Sequence, residues 1–157
     1  MRLDVKTVID NPANAGLRRY FEPRFQRKNM PCLTSPEDVS HPYYTLGTHP
    51  DLVARLWDEL GKVLPADCCA IFFGIPALIH PETGIVFGFA GGTHTYALRL
   101  PEAQRLEAIA IGAKRVKHYP RHPSFDLDLI GEDWVFCSWY KDEEIWCRAA
   151  HKYASSA

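Results

Sequence analysis

Ile85-Val86-Phe87-Gly88-Phe89-Ala90-Gly91-Gly92-Thr93-His94-Thr95-Tyr96-Ala97-Leu98-Arg99-Leu100 is two extended apolar runs around a pair of glycines. Two glycines between such runs signal a tight β-hairpin, because both turn positions need a positive φ. A two-residue turn at Gly91-Gly92 pairs Ala90 with Thr93. The register then sets Phe89 against His94, Phe87 against Tyr96 and Ile85 against Leu98, all on one face. The other face carries Val86, Gly88 and Ala90 against Thr93, Thr95 and Ala97. One face is thus a bulky ladder and the other is small and flat, a surface that lets a helix approach closely.

Working outward, residues 70–75 form a continuous apolar run that reads as a buried strand, with Pro76 breaking or kinking it and 77–80 resuming an extended path. Pro81-Glu82-Thr83-Gly84 is a turn. Upstream, Thr48 is the expected N-cap of a helix with Pro50 in its first turn. Leu52, Val53, Leu56, Trp57, Leu60, Val63 and Leu64 recur at helical spacing until Pro65 stops them. Downstream, Pro101 opens a second helix, with Ala103, Leu106, Ile109 and Ala110 inward and Gly112 as its C-cap. A basic link over 113–124 precedes a strand at 134–140. Asp142 then caps a final helix whose apolar side is Ile145, Trp146, Ala149, Ala150 and Tyr153, with Glu143 and Glu144 favourably placed in its first turn.

Residues 1–48 differ in character. Prolines recur, periodicity is poor, and Arg2, Lys6, Arg18, Arg19, Arg24, Arg27 and Lys28 outnumber Asp4, Asp10 and Glu22 over the first part. This predicts an irregular arm with a short helix near 13–21, packed on the core by Tyr20, Phe21, Phe25, Tyr43 and Tyr44. The expectation is one domain, with an arm over 1–48 and an α+β core over 49–154. Its sheet is a mostly antiparallel meander of about four or five strands against about three helices.

The chain has 157 residues, 46% of them hydrophobic and 24% charged, with a formal net charge of -1. That describes a folded domain with no global bias toward nucleic acid or membrane. No run of about 20 apolar residues spans a bilayer, and Met1-Arg2-Leu3-Asp4-Val5-Lys6 has no apolar signal region behind its basic residue. Five cysteines, an odd number with no CxxC pair, read as reduced thiols, so a cytoplasmic location is expected.

No dinucleotide fingerprint, P-loop, HExxH or GxSxG motif is present, and no cofactor is expected. Three constellations remain. His94, flanked by Thr95 and joined along its strand by Arg99, is the catalytic candidate, since an imidazole serves as a base near neutral pH. The plain alternative is a satisfied structural histidine, because no nucleophile or orienting carboxylate is evident beside it. Cys137, Cys147 and His151 are the metal candidates: Cys147 and His151 lie four apart on one helical face. No standard zinc spacing supports them, and small buried hydrophobes are the simpler account. The acids Asp126, Asp128, Glu132, Asp133, Asp142, Glu143 and Glu144 read as solvated loops and helix caps.

Two basic segments interleave cations with aromatics. Residues 17–28 contain Arg18, Arg19, Tyr20 and Arg24, and residues 114–122 contain Arg115, Lys117 and Arg121. Arginine beside aromatics can grip phosphates and stack bases, though arginine stems also cover apolar surface. The leading functional expectation is a non-enzymatic binding or interaction module that recognises a protein, a second copy of itself or a small ligand. Its many aromatics are of the kind that anchor interfaces. A small hydrolase centred on His94 is the first alternative, and nucleic-acid binding through the basic segments is the second.

Overall fold

The computed structural model describes residues 3–25, 31–44, 48–91, 94–115 and 127–156. In chain order the main elements are α1 (Val5–Asp10), α2 (Ala15–Phe21), β1 (Leu33–Thr34), α3 (Pro50–Ala54), β2 (Cys69–Phe72), β3 (Ile75–Ile79), β4 (Val86–Gly91), β5 (Thr95–Arg99), α4 (Glu102–Ala110), β6 (Lys114–Arg115), β7 (Trp134–Cys137) and α5 (Glu143–Ala154). The strands form one seven-stranded sheet in the order β1-β2-β3-β4-β5-β7-β6. Every neighbouring pair is antiparallel. The α+β class and the antiparallel meander agree with the sequence. The strand count is higher than expected, because β1 and β6 are two-residue edges too short to leave a periodic signal. No helix among the described residues is long and apolar enough to cross a membrane.

The rest of the excess is a missed hairpin. The apolar run at 70–75 does not continue as one strand but turns back at Phe73-Gly74, where φ is 47° and 77°. Two successive positive φ values make the tight turn whose twist suits a hairpin, and glycine accepts the second without strain. Pro76 sits opposite Ile71 inside β3. Pairing of β3 with β4 begins only at Ala77, so the missing N–H of proline falls outside that ladder.

The β4–β5 hairpin forms in a different register from the expected one. Gly91 opposes Thr95, Ala90 opposes Tyr96, Phe89 opposes Ala97 and Gly88 opposes Leu98. Gly92 and Thr93 lie outside the described residues. The expected Phe89–His94 pair is absent, and His94 belongs to the connection. A β-bulge explains the changed faces. Val86 opposes Ile79 and Gly88 opposes Leu78, leaving Phe87 as an extra residue on β4. Phe87 and Ala90 therefore join the core on one side of the sheet, and Val86 and Phe89 join the core on the other. Neither face is flat.

Helices cover the first side. Leu52, Val53, Leu56, Trp57 and Leu60 bury the expected stripe, and Trp146, Cys147, Ala150 and Ala154 bury that of α5. His49, not Thr48, caps α3: its Nδ1 accepts the Asp51 N–H at 3.1 Å, whereas the Thr48 hydroxyl donates to the Ala90 carbonyl. The inward face of α4 also differs from expectation. Ala108 is its buried residue and Leu106 is 50% exposed. Gly112 does close α4, with its N–H on the Ile109 carbonyl and the Ala113 N–H on the Ala108 carbonyl.

The arm covers the second side: α2 falls where a short helix was expected, and α1 is a further helix where irregular chain was expected. Asp4 caps α1 and Asn11 caps the 3₁₀ turn that follows. Val8, Leu17, Tyr20 and Phe21 pack on Phe72, Ile79, Val86 and Phe89. The Phe21 ring meets Phe89 edge-on at 5.1 Å. Gly16 lets α2 lie against residues 127–130, since a Cβ there would stand 2.0 Å from the Leu129 carbonyl oxygen.

Asn14, fully buried, stitches the arm down. Its amide donates to the Val8 and Gly84 carbonyls at 2.7 and 2.8 Å, and its carbonyl accepts the Val86 N–H at 2.9 Å. Asn14→Ala strands that buried N–H and two carbonyls. We expect it to cost about 3 kcal/mol in urea unfolding monitored by Trp fluorescence, against about 1 kcal/mol for loss of an exposed bond.

Candidate functional site

The residues singled out in the sequence do not converge. His94 is exposed in the β4–β5 connection, with no partner among the described residues. Arg99 ends β5, the strand that follows, five residues and so up to about 17 Å away at the usual strand rise. There it pairs with Asp133 at 3.5 Å. Thr95, half-buried, opposes Gly91. Cys137 and Cys147 are buried free thiols. Burial pushes both up to about 12, so they stay protonated at neutral pH and are poor nucleophiles and ligands. His151 stacks on His80, with ring centroids 4.7 Å apart. Among the described residues no group of three or more His, Cys, Asp or Glu could hold a metal ion.

Of the second basic segment only Lys114 and Arg115 are described, and they point to opposite faces of the sheet, Lys114 opposing Phe136 on the arm-covered side. Arg18 pairs with Glu22 at 3.1 Å, Arg24 lies 4.1 Å over the ring of the buried Tyr20, and Arg19 is exposed. All three belong to the arm. Arg115 opposes Val135, whose side chain is in the core on the helix-covered side. Lys117, Arg121 and Asp126 lie outside the described residues.

A different constellation is assembled on the helix-covered side. Glu143, fully buried at the start of α5, accepts the Tyr140 N–H at 2.8 Å and ion-pairs with Arg55. Arg55 reaches Glu59 as well, at 3.3 Å. It opens a π-helical turn, Arg55–Leu60, that continues α3, the kind of distortion often found at working positions. The nearby Tyr96 hydroxyl is buried without a hydrogen-bond partner among the described residues, and burial raises its pKa. It is therefore a neutral phenol. The node is enclosed, so its effect is mechanical: it holds the β7–α5 loop from beneath.

That loop is also held from the side. Tyr140 meets Trp146 edge-on at 6.0 Å. A Cβ at Gly112 would come within 3.2 Å of the Tyr140 hydroxyl, so the end of α4 lies against the loop. Large apolar side chains are exposed around this junction: Trp139 at 50%, Ile145 at 58% and Ile111 at 49%. Sequence reading treated Glu143 as a helix-dipole acid, put Ile145 on the apolar side of the final helix and placed Trp139 in a strand over 134–140, whereas β7 ends at Cys137 and leaves Trp139 in the loop. The available signal was Arg55, which falls three residues after Leu52 on the flank of an apolar stripe. A charge there needs a buried partner.

Fold and surface together define an α+β domain that presents an anchored apolar junction. In comparisons with known proteins, no family model, no curated protein and no solved structure matches the chain.

Glu143→Gln leaves the Arg55 guanidinium short of its buried partner and should cost about 3 kcal/mol in chemical denaturation. The double variant Arg55→Met, Glu143→Leu should recover most of that loss, which a double-mutant cycle reads directly.

The His80–His151 stack makes a second expectation. His80 Nδ1 accepts the N–H groups of Glu82 and Thr83 at 3.2 and 3.3 Å. Burial, and then the neighbouring His80, lower the pKa of His151 below 6.5, with Glu82 opposing. The unfolded chain therefore takes up this proton first, and the stability it carries is lost as pH falls below about 6.5. Thermal unfolding between pH 7.5 and 5.5 should show Tm falling in the wild type and falling less in His151→Phe.

Proposed function

We propose that this chain is a non-enzymatic interaction module of the cytoplasm that engages a protein partner through the junction of α4 with the β7–α5 loop. The observation that carries the reading is Trp139, half-exposed on a loop whose neighbours are fixed by Glu143, Arg55 and Trp146. Tryptophan is the residue most enriched at interface hot spots. An anchor held in place before binding loses little entropy on docking. Ile111 and Ile145 extend the apolar area around it. The five free cysteines suit a reducing compartment.

The other two readings draw less support from the arrangement. A hydrolase centred on His94 needs an orienting carboxylate and an anion-binding group near the imidazole, and Arg99 stands at the far end of the strand. A nucleic-acid surface needs its cations on one side, and Arg115 faces away from the arm.

The test is quantitative affinity capture from nuclease-treated host lysate, comparing wild type with Trp139→Ala and Ile145→Ser. Loss of a hot-spot tryptophan costs about 2 kcal/mol or more. Specific partners should therefore fall to background in the first variant, with Tm within a few degrees of wild type. An identical capture profile for all three proteins would refute the reading.

A further inference from the structure

We propose that the outer faces of α4 and α5 pair with the same faces of a second copy of this chain, about a twofold axis parallel to the two helices. This pairing rests on the reading of that side as an interaction surface, and it names the partner.

Six large hydrophobic side chains are exposed among the described residues, and four of them fall here. Leu106 and Ile111 stand on α4 and just after it, and Trp139 and Ile145 stand around the start of α5. Ala103 and Ala110 are exposed at three residues before Leu106 and four after it. Those spacings put the three on one side of the helix. The outer side of α4 is thus an apolar stripe, while Ala108 alone is buried beneath. Such a stripe is ordinarily covered.

The charges beside the stripe identify the cover. Glu102 and Glu107 are the exposed charges of α4, and Arg148 and Lys152 are exposed cations one turn apart on α5. None of the four has an ion-pair partner among the described residues. The two helices lie side by side and run in opposite directions. Pro101 and Gln104 share a cleft with Lys152 and Ala149 at one end, and Gly112 lies against Tyr140 at the other.

Two identical chains close about a twofold axis. An axis across the helices would set α4 on α4 and α5 on α5, acid on acid and base on base. An axis along them sets α4 on α5 of the second copy and keeps every residue at its own height. Glu102 is then level with Lys152 of the second copy, and Glu107 with Arg148 of the second copy, each to within about 3 Å of helix rise. Glu144 comes level with Ala110 and meets no acid there. Symmetry repeats both ion pairs, with Ala103, Leu106 and Ala110 enclosed between them. Opposed charges of this kind fix partner and register more than they add affinity. With nine and 12 residues, the helices are about 14 and 18 Å long. A face of that length falls short of the standard of about 800 Å² per partner, so the pair is weak, with a Kd in the micromolar range.

The test is sedimentation velocity of the full chain from low micromolar to near-millimolar concentration. The mass should rise from that of one chain toward that of two. Glu107→Lys and Arg148→Glu should each weaken the pair about tenfold, and the two together should restore it. Leu106→Glu, at an exposed position, should leave a monomer with an unchanged Tm. A single-chain mass at every concentration would overturn the proposal. So would a dimer that Leu106→Glu leaves intact, or a double reversal no tighter than the single ones. If the chain is monomeric while capture from lysate still depends on Trp139, the second copy is excluded and the interaction surface stands.

Discussion

A sheet with both faces apolar must be covered twice, and this constraint organises the molecule. Ala70, Phe72, Ala77, Ile79, Val86, Phe89 and Ala97 face away from the main helices and are all buried. The residues that cover them come largely from the arm. Val8, Leu17, Tyr20 and Phe21 each contribute about 1.5–3 kcal/mol by burial. Fixing the arm's backbone costs about 1–2 kcal/mol per residue, so those four side chains alone do not hold it. The balance comes from the sheet area they shelter and from local devices that shrink the ordering cost. Those devices are the Asp4 and Asn11 caps and the three hydrogen bonds of Asn14. The arm is a structural layer of the domain.

The opposite side carries the tension between stability and presentation. A buried Arg–Glu pair is weak evidence for stability, because well-packed hydrophobes of similar size often serve as well. What Arg55 and Glu143 supply is direction. Glu143 accepts from the backbone of the loop it follows, while Arg55 ties it to the π turn of α3. The β7–α5 loop is therefore referenced to two elements, through Tyr140, the residue next to its exposed tryptophan. Apolar replacements could bury the same area without specifying that position.

Legibility in the sequence followed the range of the interactions. Helices α3 and α5 were readable because their stripes are local, and the α+β class was readable from the order of runs and turns. The Phe73-Gly74 turn was hidden inside an unbroken apolar run, since a two-residue turn need not be polar when it packs on Phe25 and Phe72. The β4–β5 register was misread because the bulge at Phe87 depends on β3, a neighbour the hairpin's own sequence does not reveal. The inward face of α4 was misassigned for a related reason: Arg105 reaches Asp133, and Leu106 is left outside. In the candidate site, Glu143 and Arg55 lie 88 positions apart, and no local pattern ties such residues. The site residues chosen by chemistry alone, His94 and Arg99, lie at opposite ends of β5, one in the turn before it and one at its last position.

The stitch at Asn14 bears on the order in which the protein can assemble. Its partners Gly84 and Val86 follow it by 70 and 72 positions. During synthesis the arm emerges first, with Leu17, Tyr20 and Phe21 presented to solvent and nothing yet to receive them. At ribosomal speeds of about 5–20 residues per second, that interval lasts on the order of several seconds. The cover of the sheet thus exists before the sheet does. For that time the nascent chain carries an aromatic surface of the kind that chaperones bind, and one that becomes an internal layer only after β4 has formed.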